Sequence, residues 1–139
     1  MCRRALRVSN ATNLIFPNEK MALKDGLNQP DNQQDSATTL SDLLFGEDPL
    51  EARFKRNAHM LERIGAHKWT TATYFLCIVH PEEYLFLKPT IIKNAADISG
   101  FDINYQPQLN WRTYELVLEF ANYLKQELVE PAPRDMIDV

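Results

Sequence analysis

Residues 84–128 read, in succession, YLFLKP, TIIKNAADISG, FDINYQPQL and NWRTYELVLEFANYLKQEL. The order is an apolar run, a helix closed by glycine, a short alternating run and the longest helical signal in the chain. Tyr114, Val117, Leu118, Ala121, Leu124 and Leu128 recur at steps of three and four, a single apolar stripe over four turns. Trp111 and Phe120 broaden that stripe near its start, and Asn110 stands where a side chain caps the first turn. This spacing predicts a long helix over Trp111–Val129. Burying a large apolar side chain contributes ~1.5–3 kcal/mol, so this helix is expected to supply the largest share of the core.

The segments just before the long helix define the remaining choice of fold. Pro89–Ser99 places Ile91, Ile92, Ala95, Ala96 and Ile98 on one broad helical face, with Gly100 at its end. Lys88 precedes Pro89 and is biased toward extended backbone, so 84–87 reads as a short extended run. Phe101–Tyr105 alternates apolar and polar until Pro107 stops it. Pairing of 84–87 with 101–105 would give a small two-stranded β element, and with the helix between them it could form a minimal βαβ crossover. The crossover ranks lower, because nothing else in the chain supplies a sheet.

Outward from there, proline and glycine punctuate the chain. Proline opens helices at no hydrogen-bonding cost, and glycine tolerates the left-handed residue that closes them. This reading gives helices over Pro17–Leu27, a short stretch around Leu40–Phe45 ended by Gly46, and Pro49–Ile64. In the last of these Leu50, Phe54, Ala58, Leu61 and Ile64 form one stripe, with Asp48 placed to cap it. Residues 28–38 (NQPDNQQDSAT) are the most polar stretch and are expected to form a mobile loop. Trp69–Val79 (WTTATYFLCIV) suits either a buried helix or a strand.

Residues 1–9 are expected to hold one helical turn or two, anchored by Leu6 and Val8, and Phe16 is the expected staple residue of the helix Pro17–Leu27. Met21 is an alternative start, which would make 1–20 an upstream extension. Residues 130–139 (EPAPRDMIDV) read as a partly ordered tail. The expected architecture is therefore mainly α, a single compact domain of five or six helices with the small β element as an addition.

Composition narrows the function classes. With 139 residues the chain is long enough to bury a sizeable core, and its net charge of −4 argues against a nucleic-acid binder or a membrane-surface protein. The longest apolar run, Tyr74–Val79, is far below the ~20 residues a membrane span requires. Cys2 and Cys77 are too few for a disulfide framework and read as free thiols, which together with the absence of a signal-like leader points to the cytoplasm. His59, His67 and His80 lack zinc-ligand spacing, and the Cys77/His80 pair has no second pair to complete four ligands. No glycine-rich phosphate loop or nucleophile elbow is present. No catalytic, cofactor-binding or metal-binding residue is therefore assigned.

Four residues remain as candidates for a surface or pocket: Tyr84, Lys88, Tyr105 and Trp111. A desolvated lysine can act as a base or nucleophile, but one beside proline at the end of an apolar run more often reaches water. Aromatics at helical spacing more often serve the core than a ligand.

The runs 13–25, 84–96, 100–114 and 133–139 resemble an uncharacterised family of bacterial hypothetical proteins, notably in Phe86-Leu-Lys-Pro89, Gly100-Phe101, Tyr105 and Asn110-Trp111 with Thr113-Tyr114. Its members extend further at both ends, so the resemblance implies a shortened member or a fragment. It brings no activity with it. Two functions of different class are expected from the residues. The first is a small non-enzymatic protein-interaction module, associating with itself or with another protein. The second is a nucleic-acid-associated protein using the basic face of Arg53–Lys68, against which stands the acidic block that precedes it.

Overall fold

Trp69–Val79, open to helix or strand in the sequence, is a helix with nine consecutive buried residues, Trp69 to Cys77. A helix enclosed on all sides needs no amphipathic stripe, which is why periodicity could not distinguish it from a strand. Its threonines settle into the helix by bonding locally. Thr73 Oγ1 donates to the Trp69 carbonyl (2.7 Å), and Thr71 Oγ1 donates to the Ala66 carbonyl (2.5 Å). Thr70 Oγ1 reaches the Glu19 carboxylate of another helix at 2.6 Å.

The computed structural model describes residues 1–127, and these form seven α-helices. They are α1 (Cys2–Ala11), α2 (Pro17–Leu27), α3 (Pro30–Phe45), α4 (Leu50–Arg63), α5 (Trp69–Val79), α6 (Pro89–Ser99) and α7 (Trp111–Glu127). α1 and α2 pack on each other and both meet α3; α3 lies along α4; α5 contacts α3 and α4; and α7 lies against α4. One aromatic cluster joins α4, α5 and α7. Phe54 stacks on Tyr114 at 5.1 Å and on Trp69 at 6.2 Å, with Trp111 tilted against it at 5.8 Å.

The mainly α expectation holds, with three corrections among the described residues. The helices number seven rather than five or six. The stretch expected as a mobile polar loop, 28–38, is helical from Pro30 onward as the first half of α3. Pro30 at the first helical position opens it, and on its inner side Ser36 is buried, its hydroxyl donating to Met60 Sδ at 3.4 Å. Its polar residues face water while Leu43 and Leu44 anchor the other end.

The third correction is that no strand is present, so the two-stranded element of 84–87 and 101–105 does not form. The alternation over 101–105 is interrupted at Asn104, which takes φ +48° and receives no ladder partner. Its amide instead donates to Asp102 Oδ1 (2.8 Å), and its carbonyl accepts from Thr113 Oγ1 (2.8 Å). A left-handed residue turns the chain out of the extended path a strand requires.

At the N-terminus, α1 spans ten residues rather than a turn or two, and it buries Ala5 and Ser9. Ile15 enters the core at 1% exposure, whereas Phe16, the expected staple, is half exposed. In α4 the buried side is Phe54, Asn57, Met60 and Leu61, rotated from the expected stripe toward α3. Asp48 does not cap α4 but accepts from Arg56 at 2.8 Å. Two helix-end expectations hold: Asn110 Oδ1 accepts the Thr113 amide at 2.8 Å, and Gly100 closes α6 in the left-handed conformation. Gly26 has another role. It lies within α2, where a Cβ would sit 2.6 Å from the Ile64 Cβ, so its missing side chain lets α2 approach the end of α4. Residues 128–139, on which the expected tail 130–139 and the expected end of the long helix at Val129 fall, lie outside the described residues.

Candidate functional site

The segment between α5 and α6, residues 80–88, is held by side chains rather than by a β ladder. Leu87 is fully buried, and its amide donates to Thr73 Oγ1 at 2.9 Å. The Leu85 carbonyl accepts from the Tyr114 hydroxyl at 3.0 Å. Burial pushes the Tyr114 phenol well above its ordinary pKa, and the neighbouring Cys77 and Tyr84 add to the shift. Tyr114 is thus a neutral, permanent donor. These two bonds give the Leu87 amide and the Leu85 carbonyl side-chain partners where no β ladder supplies them.

Thr73→Val tests the first of them. The shapes match, but the buried Leu87 amide would lose its acceptor, at a cost of about 1–3 kcal/mol. Urea denaturation should show the midpoint falling with an unchanged slope.

Held in this way, Leu85 and Phe86 form one wall of an apolar groove of about 260 Å³. Ile91, Ile92 and Ala95 of α6 form the second wall, and Phe120, Ala121 and Leu124 of α7 form the third. Leu14, from the link between α1 and α2, also lines it. Two of these side chains are unusually exposed for their type, Ile91 at 60% and Leu14 at 49%. Among the described residues Lys88 is the one charged member of the lining, and no carboxylate of theirs lines it. Its Nζ stands 5.0 Å from the centre of the Phe16 ring, an aromatic contact. The groove is smaller than the usual ~300–1,000 Å³ of a small-molecule pocket, and it suits one or two side chains of a docked segment better than an enclosed metabolite.

Of the four sequence-derived candidates, Lys88 alone lies in this groove. Trp111 lines a separate cleft of about 350 Å³ with His59, Glu62 and His67. Tyr105 lines an open cleft of about 640 Å³, where Lys93 Nζ sits 4.8 Å from its ring centre and burial raises its pKa. Tyr84 packs its ring edge-on against His80 at 5.8 Å. Sequence reading missed Leu14, Ile91 and Leu124 as surface residues of interest. Their exposure follows from packing between elements, and the sequence signalled only that Ile91 and Leu124 belonged to apolar faces. Among the described residues no group of three His, Cys, Asp or Glu side chains is placed to hold a metal ion.

The basic residues of α4 are largely engaged. Arg53 donates to the carbonyls of Leu43 (2.5 Å) and Asp48 (2.7 Å). Arg56 binds Asp42 and Asp48, which raises its pKa, Lys55 pairs with Glu51, and Arg63 reaches Asp35 at 3.5 Å. The acidic block of the sequence thus folds onto the basic one.

The geometry defines a class: an α-helical fold carrying an open apolar groove with a single cation at its rim. No helix among the described residues is long and apolar enough to cross a membrane. No family model matches the chain, and neither a curated protein nor a solved structure matches it.

Proposed function

We propose that the protein is a small non-enzymatic interaction module whose apolar groove takes up a short apolar segment flanked by acidic residues. One observation carries this reading: Ile91, Leu14 and Leu124 leave an apolar trough open beside Lys88, a lysine that no carboxylate among the described lining residues neutralises. Apolar side chains in the trough would supply most of the affinity, and an acidic flank would supply orientation through Lys88. Such a segment could belong to another protein or to a second copy of the chain.

The reading is tested by fluorescence anisotropy with a labelled peptide containing Asp-Leu-Leu-Asp. Saturable binding is expected, weakened about tenfold by Lys88→Glu and unchanged by Lys68→Glu, since reversing a charge at the rim acts on the oriented complex. Absence of binding, or equal effects of the two substitutions, would count against it.

The alternative is a nucleic-acid-associated role for the Arg53–Lys68 face. It has less in its support, because Arg53, Lys55, Arg56 and Arg63 already have partners within the chain. Its signature would be DNA or RNA affinity that falls steeply with salt.

A further inference from the structure

On α6, Ile91, Ala95 and Ile98 stand at steps of four and three, which places them on one face of the helix. Ile92 and Ala96, on the face turned inward, are buried. The outer face is open: Ile91 is well exposed, and Ile98, at 88%, is the most exposed large apolar side chain among the described residues. α6 is also the one helix among the described residues that runs close alongside none of the others. An apolar stripe left in water, as distinct from a lone apolar residue, marks a surface that another chain covers. We propose that this stripe pairs with the same stripe of a second copy, the two α6 helices running antiparallel about a two-fold axis close to Ala95. The stripe shares Ile91 and Ala95 with the groove but runs past it to Ile98, which is outside the groove lining.

Symmetry, side-chain size and charge each favour a second copy as the partner. In the antiparallel register Ile91 of one copy meets Ile98 of the other, and Ile98 meets Ile91, so the face is complementary to itself. Ala95, between them, lets the backbones approach to the short end of the usual ~8–10 Å between helix axes. The charges of the segment are divided by end. Lys88 stands just before α6 and Lys93 in its first half, while Asp97 falls in its last turn and Asp102 just beyond it. The carbonyls of a helix C-terminus add negative character at that end. A parallel pairing would set like ends together. The antiparallel one sets the cationic end of each copy beside the anionic end of the other, twice over. Eleven residues make a helix of about 16 Å. The contact is therefore small, and a dissociation constant of about 10–100 μM is expected.

Sedimentation of the full chain across and above that range should show a monomer–dimer equilibrium. Ile98→Glu should weaken it at least tenfold. Its circular dichroism should be unchanged, since Ile98 is exposed. Met21→Glu, at an exposed position of α2, should leave the equilibrium as it was. A monomer at every concentration, or equal effects of the two substitutions, would overturn the proposal. Crosslinking tests the register. In a Cys2→Ser background, with buried Cys77 left in place, oxidised glutathione should join two copies of Ala95→Cys at least tenfold faster than two copies of Ile98→Cys. Near the axis the paired positions lie within disulfide reach, whereas the two positions 98 are offset by about 10 Å along the helices, beyond the ~7 Å limit. Equal rates would overturn the antiparallel pairing.

The proposal does not rest on the groove reading, and one titration separates them. Ile98→Glu should lose the dimer and still bind the Asp-Leu-Leu-Asp peptide. A chain that dimerises but takes up no peptide upholds the pairing and overturns the groove reading. A strict monomer that binds the peptide does the reverse.

Discussion

Phe54→Ala is expected to lower stability by about 3–5 kcal/mol, the largest effect of any single substitution considered for this fold. The ring is fully buried on α4 and contacts aromatic rings of two other helices: Trp69 on α5, and Tyr114 and Trp111 on α7. Truncation loses the transfer energy of the ring and leaves a cavity that rigid neighbours cannot close. It also removes offset and tilted ring pairs worth about 0.5–1.5 kcal/mol each beyond area. For a chain of this size, thermal unfolding by circular dichroism should show a drop of roughly 10 °C or more. Phe54→Leu should recover much of the loss, since it retains most of the apolar volume. A change in stability below about 1 kcal/mol for Phe54→Ala would mean that the cluster does not join the helices as described.

Ile15→Ala should cost about 2–5 kcal/mol, comparable to other buried aliphatic truncations. The residue lies in the link between α1 and α2 and is 1% exposed. Phe16, the larger neighbour, is half exposed, and Phe16→Ala should fall within about 0.5 kcal/mol of the parent. The contrast bears on the first twenty residues, which the sequence left open as an upstream extension. Ala5, Ser9 and Ile15 are all buried, and Lys20 Nζ donates to the Thr12 carbonyl. A chain beginning at Met21 would lose all of these contacts. Denaturation of Ile15→Ala and Phe16→Ala side by side measures whether this stretch carries core weight.

The parts of the fold legible in the sequence were those whose signal is local. α7 and α6 declared themselves by stripe spacing, by Asn110 at the start of one and by Gly100 at the end of the other. α5 was not legible, because burial on every side erases the periodicity that identifies a helix. The first half of α3 was hidden for the opposite reason. Its residues are polar and score as loop by composition, yet Pro30 starts the helix and the apolar end at Leu43 and Leu44 holds it. The absent β element shows how little five alternating residues decide. Asn104 in a left-handed conformation, with Thr113 and Asp102 as its partners, outweighs the pattern.

The candidate site was less legible than the fold. Lys88 was singled out for its position beside Pro89, and it does line the groove. Trp111 and Tyr105 belong to other clefts. A groove is a property of how three elements fail to close on one another. Leu14 and Leu124 line the same groove from positions 110 residues apart in the sequence, and no spacing rule within one element could bring them together.

The proposed binding surface is the trough between α6 and α7. Amide chemical-shift mapping of the full chain during titration with the Asp-Leu-Leu-Asp peptide tests it most directly. Shifts are expected to concentrate at Ile91, Ile92, Ala95 and Leu124, with Lys88 among them. Shifts gathered instead around His59, His67 and Trp111, or no shifts at saturating peptide, would contradict it.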